Sequence, residues 1–173
     1  MSPEESVTRS VDDERAILEA RARTLARARP AEVEAERRAL LTFNQGSERY
    51  ALDARSVQGV FRLRHLTPLP GAPPELAGVT SWRGHLLTVL DLARVLGLER
   101  SGLDDRVWVV VAAASGNRFG LLAGELGDFV RVPESSIQGR EEGGSPFAVG
   151  TTRDAVLVLD AERLAGTLKG GAP

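Results

Sequence analysis

The feature that most constrains the fold is a repetition of the chain on itself. SERYALDARSVQGVFRL (47–63) lies over GNRFGLLAGELGDFVRV (116–132), and HLLTVLDLARVLG (85–97) lies over DAVLVLDAERLAG (154–166). Each second window starts 69 residues after the first, at 116 against 47 and at 154 against 85. Arg49, Leu52, Ala54 and Arg62 match Arg118, Leu121, Ala123 and Arg131, and Val89, Leu90, Asp91, Arg94 and Gly97 match Val158, Leu159, Asp160, Arg163 and Gly166. Chance agreement in so biased a composition is about one position in twelve, so a gap-free register with this many identities reads as two copies of one β-unit. Residues 47–97 and 116–166 are expected to form two units related by approximate two-fold symmetry, sharing a hydrophobic seam. The matched Asp91 and Asp160 could suggest a catalytic pair. Both precede short helical runs, LARVLG and AERLAG, where an aspartate caps exposed N–H groups and a glycine stops the helix, and capping is the preferred reading.

The strands come from short apolar runs separated by Gly, Pro, Asn or Asp. ALLTF, RYAL, VQGVFRL, LLTVL, RVWVVVAAA, RFGLL, DFVRV and AVLVL are the candidates, at the spacing of small barrels or sandwiches. PGAPPELAG (70–78) and QGREEGGSPF (138–147) read as connecting loops, and long helices are not expected after residue 40. Residues 1–38 form a polar, helical extension. VDDERAILEARARTLARAR is rich in helix formers, Asp12 or Asp13 can cap it, and Pro30 opens a second helical piece, PAEVEAERRAL. Its narrow apolar stripe of Ile17, Leu18, Ala22 and Leu25 suits a solvated helix lying on the domain, with a docking element as the sharper alternative.

Composition excludes several function classes. With 173 residues and 42% hydrophobic side chains the chain can bury a sizeable core. The absence of cysteine removes disulfides, thiolate metal sites and cysteine nucleophiles together and suits a reducing cytoplasm. A net charge of −2 gives no general footprint for nucleic acid. The acidic N-terminus MSPEESVTRSVDDERA lacks the apolar run of a signal peptide, and no stretch approaches the ~20 apolar residues that span a bilayer. His65 and His85 are the only histidines, and neither lies beside a ligand pattern or a nucleophile. Gly116, Gly120, Gly124 and Gly127 match no phosphate-loop pattern and fit turns and bulges between strands. No cofactor, metal or catalytic residue is expected. A binding scaffold is the favoured class over an enzyme or a nucleic-acid-binding module.

One stretch has the character of a handle. In GVTSWRGHLLTVLDL (78–92), Trp82, Arg83 and Gly84 fall between two apolar runs, at the tip of an expected hairpin. Arginine suits protein recognition because its planar guanidinium forms bidentate bonds and stacks on aromatics. Trp82 fits the core or, if exposed beside Arg83, an interface anchor.

From about Ala39 to Leu168 the chain resembles the CheW family, adaptors that couple bacterial chemoreceptors to their histidine kinase. FNQGSERYALDARSVQGVFRL, LTPLPGAPPELAGVTSWRGHLLTVLDL and RFGLLAGELGDFVRVPESSI carry the resemblance. It implies two packed, five-stranded, SH3-like β-barrels over 39–169. It also implies a cytoplasmic, non-enzymatic adaptor recruited to chemoreceptor arrays, whose partners are a CheA-like kinase regulatory domain and a chemoreceptor cytoplasmic tip. A specialised scaffold taking only one of these, or an SH3-like nucleic-acid module, is the alternative. The family's hairpin arginine carries over onto Arg83, with Trp82, Gly84, Val57 and Gly59 as its partner-binding neighbours. The chain departs from the family at Gly59, where an acidic residue is usual, at Ser81 and Trp82 for Asn and Leu, and at Thr88 for Pro. Arg83 thereby loses an internal carboxylate and is available to one from outside.

Overall fold

The computed structural model describes residues 36–98, 107–140 and 142–169. The expected helices before residue 36 lie outside the described residues. Arg37 and Arg38, expected at the end of the second helical piece, stand instead in strand β1, Arg37–Gln45, which also holds the expected ALLTF strand. Pairing on both sides, with Glu48–Asp53 (β2) and Glu125–Pro133 (β8), overrides the helix propensity of Arg37 to Leu40.

The remaining strands are Val57–Arg62 (β3), Leu76–Trp82 (β4), His85–Leu90 (β5), Trp108–Ala114 (β6), Asn117–Ala123 (β7), Gln138–Gly139 (β9), Ala148–Thr151 (β10) and Val156–Leu159 (β11). Helices α1 (Leu92–Val95) and α2 (Ala161–Lys169) close the two halves. The fold is mainly β, in two sheets ordered β8-β1-β2-β11-β10-β9 and β3-β6-β7-β5-β4. Two segments read as loops contain strand: β4 begins at Leu76, directly after the proline-rich turn, and β9 opens the second loop.

The two copies are not two separate sheets, and this corrects the expectation of units built within 47–97 and 116–166. Each copy gives its first hairpin to the sheet of the other. β1 and β2 lie among β8, β10 and β11, while β6 and β7 lie among β3, β4 and β5. The exchange is fixed by parallel pairing: Thr88, Val89 and Leu90 face Phe119, Gly120 and Leu121, and Leu157, Val158 and Leu159 face Tyr50, Ala51 and Leu52. Every one of these pairs maps onto its counterpart at the sequence offset. Two-fold symmetry therefore holds, with the hairpins swapped.

The exchange explains the buried residues. A central cluster takes Phe43, Tyr50 and Leu52 from one copy, Val110, Phe119 and Leu121 from the other, and Leu92 and Leu164 from the two helices. It is the expected hydrophobic seam. Leu87, Val89, Val109, Val111 and Leu122 form a second cluster inside the β3–β4 sheet, and Leu40, Ala51, Val156 and Val158 form its smaller counterpart in the other sheet.

Asp91 and Asp160 have the expected capping role. The Asp91 carboxylate accepts from the Arg94 N–H at 3.4 Å, and Asp160 Oδ1 accepts from the N–H of Glu162 at 2.9 Å and of Arg163 at 3.4 Å. Gly97, at φ +69°, ends α1 as expected: its N–H reaches Arg94 O, and the Leu98 N–H reaches Ala93 O at 2.7 Å. Gly166 does not stop α2, which runs to Lys169. Leu164 and Ala165 are buried, and Leu168 packs on the central cluster beyond the glycine. That burial offsets the ~1 kcal/mol a mid-helix glycine costs.

Candidate functional site

The site is built on the β4–β5 hairpin. The alternation in LAGVTSW and HLLTVL sends Thr80, Leu87 and Val89 inward, and the strands pair from Leu76–Leu90 to Trp82–His85. Only Arg83 and Gly84 lie beyond that last pair. Both are left-handed, at φ +50° and +79°, as in the two-residue turn whose twist matches that of the flanking strands. Gly84 adopts this conformation without cost, whereas Arg83 is a non-glycine residue held in it by the hairpin.

Trp82 takes the core use on one side of its ring. It is half-buried and packs on the cluster of Leu87, Val89, Val109, Val111 and Leu122. It also reaches from edge strand β4 to the opposite edge strand β3, where a β-carbon at Gly59 would lie 3.2 Å from its Cζ2. The sheet is thus curled until its two edges meet across the indole. The Arg83 guanidinium carbon lies 4.6 Å from the centre of the Trp82 ring. Such a contact is worth about 0.5–1 kcal/mol at an exposed site.

The structure therefore brings Trp82, Arg83, Gly84 and Gly59 together. Val57 lies two residues before Gly59 on β3, across a bulge, and packs against the central cluster. The departures at Gly59 and Trp82 are linked, because the missing side chain of one makes room for the ring of the other.

Sequence reasoning missed a second cation. Arg118, on β7 of the other copy, has its guanidinium carbon 5.3 Å from the same ring centre. Its only sequence signal is its match to Arg49. Leu86, 82% exposed on β5, was also not singled out. It borders a groove of about 620 Å³ lined by Phe61, Arg62, Arg64, His65 and Val79. His65 is a loop residue whose carbonyl accepts from Thr80 Oγ1 at 2.7 Å, and His85 is an exposed strand residue. Among the described residues no three acidic, histidine or cysteine side chains gather to hold a metal ion, and no helix is long and apolar enough to cross a membrane. What the arrangement offers is a two-residue left-handed turn, an aromatic platform and two guanidiniums beside it.

The CheW-like domain family matches residues 39–169. The chemotaxis protein CheW of Bacillus subtilis is 27% identical over 104 residues, covering 60% of this chain and 67% of that protein. The CheW of Rhizobium meliloti is 26% identical over 121 residues, 70% of this chain and 78% of the relative. The protein FrzA of Myxococcus xanthus is 32% identical over 106 residues, 61% of this chain and 66% of the relative. Among solved structures, the scaffolding protein TtCheW of Thermoanaerobacter tengcongensis matches with a TM-score of 0.69 at 22% identity, covering 74% of this chain and 92% of that one. This last likeness speaks to the fold alone.

Proposed function

The chain belongs to the CheW-like domain family, and from that premise we propose that it is a non-enzymatic adaptor coupling chemoreceptors to a CheA-type histidine kinase. In this reading residues 39–169 are the adaptor domain and residues 1–38 an extension of it. The protein works without a cofactor in the cytoplasm, recruited to chemoreceptor arrays. The observation that carries the reading is the β4–β5 hairpin: it presents Arg83 on the Trp82 ring, at the position the family resemblance assigns to partner contact.

The chemistry of coupling is association, so the site has to present recognition groups in a fixed geometry. Two-sided anchoring of Trp82, by the inner cluster and by the Gly59 backbone, holds the indole in place. The left-handed turn then sets where Arg83 begins. A guanidinium already resting on a ring loses less conformational freedom on binding than a solvated side chain does. Trp and Arg are also the residues in which interface binding energy concentrates.

The test is assembly from purified components: the full chain, a receptor cytoplasmic fragment and the kinase, in co-sedimentation. The reading expects the kinase to sediment with the receptor only when the chain is present. Recovery of the chain with neither partner would overturn it.

A further inference from the structure

From the geometry around Trp82 we infer that Arg83 and Arg118 form one anion-binding pair, mounted on a shared indole, that takes an acidic segment of a protein partner. The inference rests on the partner-binding reading of the hairpin and adds to it a second recognition residue and the chemistry of the partner.

The two cations come from different copies of the repeat. Arg83 belongs to the turn after β4, and Arg118 stands on β7, which pairs in parallel with β5. The hairpin exchange is what places them at one ring, at 4.6 and 5.3 Å from its centre. Both side chains belong to exposed residues. Among the described residues neither guanidinium is ion-paired with a carboxylate, although Arg38, Arg55, Arg94 and Arg163 all are. Two like charges held at one platform repel each other. A carboxylate arriving from outside relieves that repulsion and gains charge-assisted hydrogen bonds from both. Gly59, packed beneath the indole, supplies no internal carboxylate to compete.

The other sheet provides the comparison. At the counterpart positions Arg49 matches Arg118, but Thr151 stands where Trp82 does and Asp128 where Gly59 does. The same arginine is there without the ring and with an acidic residue in the glycine's place. The paired site is therefore a property of one sheet, and the fitting partner is a segment with at least two neighbouring carboxylates.

The test follows the indole N–H signal of Trp82 by NMR in the full chain, assigned against Trp108→Phe, during titration with hexaglutamate and, separately, hexaglutamine. The inference expects a saturable shift with hexaglutamate and none with hexaglutamine. Arg83→Gln and Arg118→Gln should each weaken that binding by about tenfold, and the double variant by less than the product of the two. Arg49→Gln should leave it unchanged. No saturable shift, an unaffected Arg118→Gln, or an equal effect of Arg49→Gln would overturn the inference. If the peptide fails while Arg83→Glu still abolishes kinase binding, the adaptor reading stands and only the acidic-segment inference falls.

Discussion

Gly59 and Trp82 are a matched pair across the two edges of one sheet: a methyl group on the glycine would meet the indole at 3.2 Å. Gly59→Ala requires the ring to move by only a few tenths of an ångström, and alanine is the better strand residue, so a stability loss of about 1 kcal/mol or less is expected. Gly59→Glu adds a carboxylate beside Arg83 and Arg118. It should weaken partner binding more than it lowers the melting temperature, which calorimetry and titration on the same sample would separate. Wild-type affinity in Gly59→Glu would show that partners do not use the uncompensated cations.

Gly120 should tolerate far less. A β-carbon there would lie 2.6 Å from Val109 Cγ1, with Leu87 and Val89 methyls at 3.3 Å. Gly120→Ala is expected to cost about 1–3 kcal/mol by overpacking, read from the denaturation midpoint at constant slope. Ala51, its counterpart, carries the methyl already. A neutral Gly120→Ala would contradict the packing described for this sheet.

The single tyrosine reports on the seam. Tyr50 is buried, stacks on Phe43 with ring centres 6.3 Å apart, and donates to Glu48 at 2.6 Å. Burial first, and then the Glu48 hydrogen bond and charge, push its phenol far above the usual value. A group raised in the folded state contributes stability that is present below its unfolded pKa, near 10, and is lost as pH rises beyond it. Phenolate absorbance should therefore appear together with alkaline unfolding. Ionisation near pH 10 in a chain that stays folded would show the seam to be open to water.

The acid limb has its own reporter. The Asp53 carboxylate is held below its ordinary value chiefly by the hydrogen bond from Arg55, with Arg38 adding its charge at 3.6 Å. A depressed carboxylate stabilises above its unfolded pKa and loses that contribution as pH falls through the folded value. Asp53→Asn should thus be less stable than wild type at neutral pH, with the gap closing in acid. Because Arg55 is solvent-exposed, the gap should be small and should shrink in salt. A gap that widens in acid would contradict the assignment.

The sequence revealed most of the strands, the capping aspartates and the repeat because each leaves a local pattern; β9 and β10, two and four residues long, are too short to leave one. The hairpin exchange leaves none. The repeat shows that β7 corresponds to β2, but the alternation of these strands is equally satisfied beside either copy, and only the packed seam decides. Arg37, Arg38 and Gly166 were misread for a related reason: local helix rules lose where strand pairing or the packing of Leu168 supplies more. The onset of β4 was hidden by the prolines just before it. At the site, Trp82 and Arg83 were legible as neighbours in sequence. Arg118 was not, since what joins it to the ring is the parallel β5–β7 pairing between copies.

The most direct test of the account is a titration of the full chain with the kinase regulatory domain, comparing wild type with Arg83→Ala and Arg83→Glu and following each variant's melting temperature. Arg83 is exposed and its one described contact is the Trp82 ring, so both melting temperatures should stay close to wild type. Affinity should fall by about 2 kcal/mol or more for the alanine variant and further for the charge reversal. Unchanged affinity in Arg83→Glu, or a loss that merely follows an unfolded variant, would contradict the claim that this hairpin is where the adaptor takes hold of its partner.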